Sequence, residues 1–334
     1  MKRTRLCIPL FSILVIGIIL SGCGLSYNIK APALSQVTYG TGGMSPVALD
    51  IIDKRTGDDA LYLMGRIGIA SELSDLSNLL EFENVKDPVA FFAVHLEKEL
   101  NSRGIPAKCA VVKTSTADMI LEINRYKIDN YRATGFSPWE ACHVFDGTLI
   151  VKQAKKPIKA YFYNGKTPVW SMDEIVDPCF NIPTSIIIKE VASKINKASF
   201  NFKTTDDKIQ QLITQIDVNL DKLDIEGPFQ QVLELGYSNN ANAMEPLKKY
   251  SEQEDQFLKA CALSAIGILG PEGQLEFLKQ QHNNQEAYNS RYMALKAIGD
   301  ISSPEALQFI EDIKKEGSYD SEGGIKSCVE LYAP

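Results

Sequence analysis

The sequence predicts an α+β domain, a mostly antiparallel sheet with two helices over one face, followed by an all-α array of short repeats. Three observations predict it. Between residues 45 and 203, short apolar runs mostly alternate with polar residues and end at turn residues, the period-two signature of strands. After Phe202 the period becomes helical. Within that second part, Lys259-Ala-Cys-Ala-Leu-Ser-Ala-Ile-Gly267 returns as Arg291-Tyr-Met-Ala-Leu-Lys-Ala-Ile-Gly299 at an offset of 32.

The chain opens with a different kind of segment. Lys2, Arg3 and Arg5 precede an apolar run of fifteen residues, Leu6 to Leu20. The run is shorter than the roughly 18 to 20 residues that span a bilayer. With its basic flank it reads as a secretory signal over residues 1–22, a plain transmembrane anchor being the alternative. Leu20-Ser21-Gly22-Cys23 closes it. This tetrad resembles the lipobox of bacterial lipoproteins. The resemblance implies cleavage between Gly22 and Cys23, diacylglycerol on the Cys23 thiol, and acylation of the new amino terminus. More than one acyl chain makes attachment stable. The protein is then expected as a lipid-anchored one on the periplasmic side of a bacterial membrane. Gly24 in place of Asp directs it, in a Gram-negative host, to the outer membrane.

Composition narrows the partners. The net charge is −7, and loss of the three basic residues of the signal takes it to −10. An acidic surface argues against nucleic acid, which needs a basic stripe to neutralise phosphates, and against electrostatic adhesion to anionic lipid. The membrane contact is assigned to the N-terminal lipid. Of seven cysteines, Cys109, Cys142, Cys179, Cys261 and Cys328 remain after Cys7 and Cys23 are set aside. An oxidising compartment permits disulfides, and Cys142 and Cys179, flanking a strand-rich segment, form a possible pair. Cys261, among small apolar residues on a helix, reads as a packed thiol. No spacing suggests zinc or another metal.

Taken in order, residues 23–44 are rich in Gly, Ser, Thr and Pro and read as a tether. Val47 to Asp53 is a strand. Asp87-Pro88 starts a helix, with Asp as N-cap and Pro at the first position, that ends at Gly104. Strands follow over 109–112, 119–128, 144–151 and 160–163, the last two joined by a turn at Lys155-Lys156-Pro157. Asn164-Gly165 reads as a hairpin turn, and Pro183 to Ser199 as the second helix. The domain spans residues 45–203.

This half resembles the YajG-type lipoproteins and related periplasmic domains of envelope-assembly and transport-accessory lipoproteins. The residues that carry the likeness are the lipobox, the tether, the strand ending Asp50-Ile-Ile-Asp53-Lys-Arg55, and Gly65-Arg-Ile-Gly68. The Pro88 helix with Gly104 and the strand opened by Ala117-Asp118 complete it. The likeness covers roughly residues 45 to 200. The segment between Gly68 and Asp87 and the insertion around Ser137-Pro-Trp-Glu140 fall outside it. It implies a binding or accessory module.

Residues 204–334 begin with a helix capped by Asp206-Asp207, and the next starts at Gly227-Pro228. Leu275, Phe277 and Leu278 fall on Leu307, Phe309 and Ile310 at the same offset of 32, so whole helix pairs repeat. Gly270-Pro271 and Ser303-Pro304 mark the turns within pairs. The period and the matching small residues indicate an α-solenoid. The pattern resembles short bacterial HEAT repeats, in which a basic residue, here Lys259 and Arg291, precedes the Ala-x-x-Ala-x-Gly run. Gly at the helix end is expected to cap it. Arrays this short are stabilised by neighbours, so packing against the helix at 206–222 or against the first domain is expected.

No catalytic set emerges. His95 reads as a packing residue, His143 stands beside the possible disulfide without a nucleophile nearby, and His282 reads as a solvated loop residue. Asp50 and Asp53 are a candidate acid/base or metal pair if the strand places them together, and a solvated strand face paired with Lys54 and Arg55 otherwise. The expectation is a non-enzymatic, membrane-anchored interaction or accessory module with an envelope protein as partner and no cofactor. The alternative is an enzyme or small-ligand binder with a site between the domains.

Overall fold

The structure, a computed structural model, describes residues 26–57, 65–69, 79–134, 136–167, 174–221, 228–270, 272–284, 287–317 and 323–334. The expected signal, Gly22 and Cys23 lie outside the described residues.

The longest element of the sheet is β6 (Met119–Arg132), and one of its edges is shared by two strands. Residues 120–123 pair in parallel with β2 (Val47–Asp53), and residues 128–132 in parallel with β3 (Gly65–Ile69). Outside β2 lies β5 (Ala107–Val111), again parallel. Outside β3 lie β4 (Leu79–Phe82), antiparallel to it, and β1 (Ser26–Tyr27), parallel to β4. The other edge of β6 carries β7 (Trp139–Val151) and then β8 (Ala154–Thr167), both antiparallel. The sheet is therefore mixed, not the mostly antiparallel one expected. The cause is the connection: α1 (Pro88–Ser102) carries the chain back across one face, so β5 enters beside β2 in the same direction.

Two turns differ from the sequence reading. The β7–β8 hairpin turns at Lys152-Gln153, both with positive φ (47° and 73°), the conformation that matches the twist of a two-residue hairpin. Lys155-Lys156-Pro157 is already strand, with Pro157 on the rim of β8. Asn164-Gly165, expected as a hairpin turn, lies within β8 at a shift of register, beyond which the strand resumes its pairing with β7, Thr167 opposite Trp139.

Strand alternation sorts the side chains onto two faces. Tyr126 and Phe145 meet Phe92 of α1, and His143 meets the π-helical turn Asp177–Asn181 that feeds α2 (Ile182–Ser199). The opposite face carries Cys142, Val144, Tyr161 and Tyr163 and is covered by the C-terminal helices. Asp87 caps α1 as expected, accepting from the backbone of Val89 and Ala90.

The helical part comprises α3 (Asp206–Asp221), α4 (Pro228–Tyr237), α5 (Met244–Ser251), α6 (Gln256–Leu269), α7 (Leu275–Asn284), α8 (Tyr288–Ile301), α9 (Pro304–Glu316) and α10 (Gly323–Tyr332). In all, the described residues hold ten α-helices. α4, α6, α8 and α10 form an inner row in which each packs on the next, and α5, α7 and α9 lie outside it. A Cβ on Gly236 would stand 2.7 Å from the Cα of Ala265, and one on Gly267 2.4 Å from the Cα of Ala297. Gly267 was expected as a cap. Both glycines serve instead as contact points that let the inner helices touch backbone to backbone. The caps are Gly270 and Ser302, both left-handed. Ser303 caps α9 as expected, accepting from Ala306.

Segment 26–43, expected to be part of a free tether, is packed. Tyr27, Ile29, Val37 and Tyr39 are buried. Ser35 and Gln36 donate backbone N–H groups to Glu99 and Glu234, 3.1 Å each, and Tyr39 donates its hydroxyl to the Tyr237 carbonyl at 2.8 Å. The segment crosses the α1–α2 layer like a strap and joins it to α4.

Candidate functional site

Several groups singled out from sequence stand apart. Asp50 and Asp53 are three residues apart, which on a strand puts them on opposite faces. Asp50 accepts from Ser115 at 2.5 Å, and Asp53 takes a two-pronged bond from Arg55 at 2.9 Å. Burial opposes the Asp53 charge, but Arg55 outweighs it and holds the carboxyl below its ordinary range. They form no pair. His95 is a buried packing residue, its ring 4.4 Å from that of Phe91. His143 lies within β7, its Nε2 2.8 Å from the Cys179 carbonyl. Burial pushes its pKa down to about 3 despite that bond, so it is neutral. His282, expected in a solvated loop, lies in α7, buried, with Nδ1 3.1 Å from the Arg291 carbonyl.

Cys142 and Cys179, the possible disulfide, are both free thiols. Adjacent strand residues explain it: His143 faces the turn that holds Cys179, so Cys142 faces away, toward α10. Cys261 is a buried thiol on α6, as expected. Among the described residues no group of His, Cys, Asp and Glu could hold a metal ion.

The structure instead brings together residues that no local motif marks. At the junction of the sheet, α2 and the inner helices, three buried charged side chains, Glu190, Lys296 and Asp300, and the largely buried Lys194 form a closed ring. Lys194 lies 2.6 Å from both Glu190 and Asp300, and Lys296 lies 2.9 Å from Glu190 and 2.7 Å from Asp300. Lys296 also donates to Ser264 of α6 at 2.9 Å, and Tyr332 of α10 donates to Asp300. Burial opposes the charges of Lys194 and Asp300. Their mutual attraction, with Glu190 and Lys296, wins, so Lys194 is held above its ordinary pKa and Asp300 below.

Above this ring opens a pocket of about 410 Å³, lined by β8, the end of α2 and the ends of α6, α8 and α10. Four helix C-termini, each carrying partial negative charge, converge on it. Lysines answer them. Lys156 donates to the Ala198 carbonyl, Lys159 to that of Leu331 at 2.7 Å, and Lys197 to that of Leu269 at 2.7 Å, while Lys194 holds Asp300 and the Lys159 carbonyl. Burial, with repulsion between neighbouring cations, lowers the pKa values of Lys159 and Lys197; Asp146 and Asp300 respectively offset part of this. The pocket contains neither Asp50, Asp53 nor His143. Its signal in sequence is only the spacing of Lys194 and Lys197 one helical turn apart.

No family model matches the chain, and no curated protein matches it. Two solved structures are similar in part. One is an uncharacterised protein, 13% identical, matched over 52% of this chain and 100% of its own, with a TM-score of 0.33. The other is a protein from Xanthomonas campestris of the DUF330 family, 11% identical, matched over 52% of this chain and 89% of its own, with a TM-score of 0.26.

Proposed function

We propose that the chain is a bacterial lipoprotein, anchored by lipid on Cys23, that acts as a non-enzymatic accessory module binding other envelope proteins. Its first half is read as a YajG-like domain and its second, residues 204–334, as a short HEAT-like solenoid. The observation that carries the reading is the repeated inner-row contact, Gly236 on Ala265 and Gly267 on Ala297. Stacking of one unit on the next builds the extended surfaces with which solenoids bind proteins and peptides. Among the described residues no helix is long and apolar enough to cross a membrane, so on this reading attachment rests on residues before Ser26.

Two experiments test it. Cys23→Ser should leave the precursor unprocessed or release the protein from membranes, and normal mature size with unchanged retention would overturn the lipoprotein reading. Cross-linking in intact envelopes, followed by purification of the full-length chain, should recover one specific protein, and its absence would remove the adaptor reading. Truncation near residue 203 is unsuitable, because it strands Glu190 and Lys194 without Asp300 and Lys296.

A further inference from the structure

An ammonium group carries three N–H donors, and burying donors without partners is costly. The charge ring meets this demand. Lys194 touches Glu190, Asp300 and the Lys159 carbonyl, and Lys296 touches Glu190, Asp300 and Ser264. Lys189 of α2 is buried to a degree between theirs, its side chain 9% exposed against 14% and 0%. Yet among the described residues its ammonium meets one partner, Glu234 of α4 at 3.1 Å. Two of its donors are left over.

Lys189 and Glu234 line a hollow of about 210 Å³ between α2, α4 and the strap. One or two waters, at about 30 Å³ each, would leave most of it empty. Its other walls are amide and apolar. Among the described residues the Gln36 and Gln230 side chains make no hydrogen bond, and Gln231 uses only its oxygen, accepting from Asn219 at 2.8 Å. Leu34 completes the wall and is 49% exposed.

Charge selects the occupant. Lys189 and Glu234 neutralise each other. On Glu234, Oε2 accepts from the Ser35 hydroxyl and the Gln36 backbone N–H, whereas Oε1 accepts only from Lys189. A cation with unused donors thus stands beside a carboxylate oxygen with an unused lone pair. An anion alone would satisfy the donors but leave net charge in a largely buried site, and a cation alone would do the reverse. A zwitterion with both groups on one carbon answers both and adds no charge.

We propose that this hollow binds a free α-amino acid, with its carboxylate on Lys189, its ammonium on Glu234 Oε1 and its side chain against Leu34 and the glutamine amides. Leu34 and Gln36 belong to the strap, so the bound amino acid joins the strap to α2 and α4. The site depends on neither the lipid anchor nor the adaptor reading.

Calorimetric titration of the full-length chain with L-leucine and with L-glutamine tests it, one probe for each kind of wall. At least one should bind saturably. Its amide, which lacks the carboxylate, and the same acid lacking the amine should each bind at least about tenfold more weakly, because each loses a charged hydrogen-bond partner. Gln230→Tyr puts a ring into the hollow, leaves the ion pair intact and should weaken binding by a similar factor. Lys189→Met combined with Glu234→Leu removes both charges together, strands neither, and should abolish binding. Should that double variant unfold, Gln230→Tyr alone decides. The bound amino acid should also slow limited proteolysis within residues 30–43. Absence of saturable binding by both probes, equal binding of the amide or of the acid lacking the amine, or undiminished binding to Gln230→Tyr would each overturn the proposal.

Discussion

Lys194 of α2 and Asp300 of α8 meet at 2.6 Å, and the Asp300 side chain is 1% exposed. The two belong to different halves of the chain, so their contact ties the helical array to the sheet layer. Removing one member of a buried pair leaves uncompensated charge. Asp300→Asn should destabilise the fold by about 3–5 kcal/mol in urea denaturation. Neutralising Asp312, in the exposed pair with Lys315, should cost less than about 1 kcal/mol. The pH dependence follows from the directions of the shifts. Asp300 is held below its ordinary 3.8, so its contribution is present above that pH and lost as pH falls through the lowered value. Lys194 is held above its ordinary 10.5, so its contribution is present below that pH and lost as pH rises through the raised value. The stability gap between wild type and Asp300→Asn should be flat from pH 5 to 9, roughly, and shrink in acid. A gap that grows in acid would contradict the assignment.

Gly267 and Gly273 provide a matched comparison. A Cβ on Gly267 would stand 2.4 Å from the Cα of Ala297, whereas one on Gly273 meets nothing within 4 Å. Gly267→Ala should lower stability by about 1–3 kcal/mol through overpacking that no rotamer relieves. Gly273→Ala should be near neutral. Thermal melts of the two variants decide it.

Arg103 is fully buried and holds the strap in place. It donates to Glu99 at 2.6 Å, to the Tyr39 hydroxyl at 3.1 Å and to the Lys189 carbonyl at 2.8 Å, with the Tyr237 ring 5.1 Å away. Lysine keeps the charge but lacks the planar fork. Arg103→Lys should cost about 2–4 kcal/mol and, more tellingly, open residues 30–43 to limited proteolysis while the sheet stays intact. A melt shifted without new cleavage there would refute the strap.

The thiols should be inert. Burial pushes Cys142, Cys179 and Cys261 up to about 12, and thiolate is the reactive form. Native protein should react slowly with a disulfide reagent and denatured protein quickly. Peptide mapping without reductant should show no Cys142–Cys179 bridge, and finding one would mean a face of β7 is misassigned.

Much of the local structure was legible in the sequence. Asp87-Pro88 announced α1, Ser303-Pro304 announced α9, and the 32-residue offset announced the inner helices, because capping and periodicity are properties of neighbours in the chain. The mixed sheet was not legible, since strand direction depends on where a crossover sets the chain down. The Asn164-Gly165 turn failed because continued pairing with β7 outweighed a local preference. The strap failed because small polar residues look like a linker until Glu99 and Glu234 supply partners. The candidate site was invisible for the same reason. Its lysines and carboxylates come from β8, α2 and α8, and nothing within one segment distinguishes Lys194 from a solvated surface lysine.

By itself, then, the sequence determined the elements, the repeat and the acidic surface, all of which arise from residues a few positions apart. Only the tertiary structure decided which faces meet. It turned Cys142 away from Cys179, seated Gly267 on Ala297, and closed the charge ring around Asp300. Those outcomes depend on register and packing between distant segments, where desolvation and steric contact set the energy and local propensity does not.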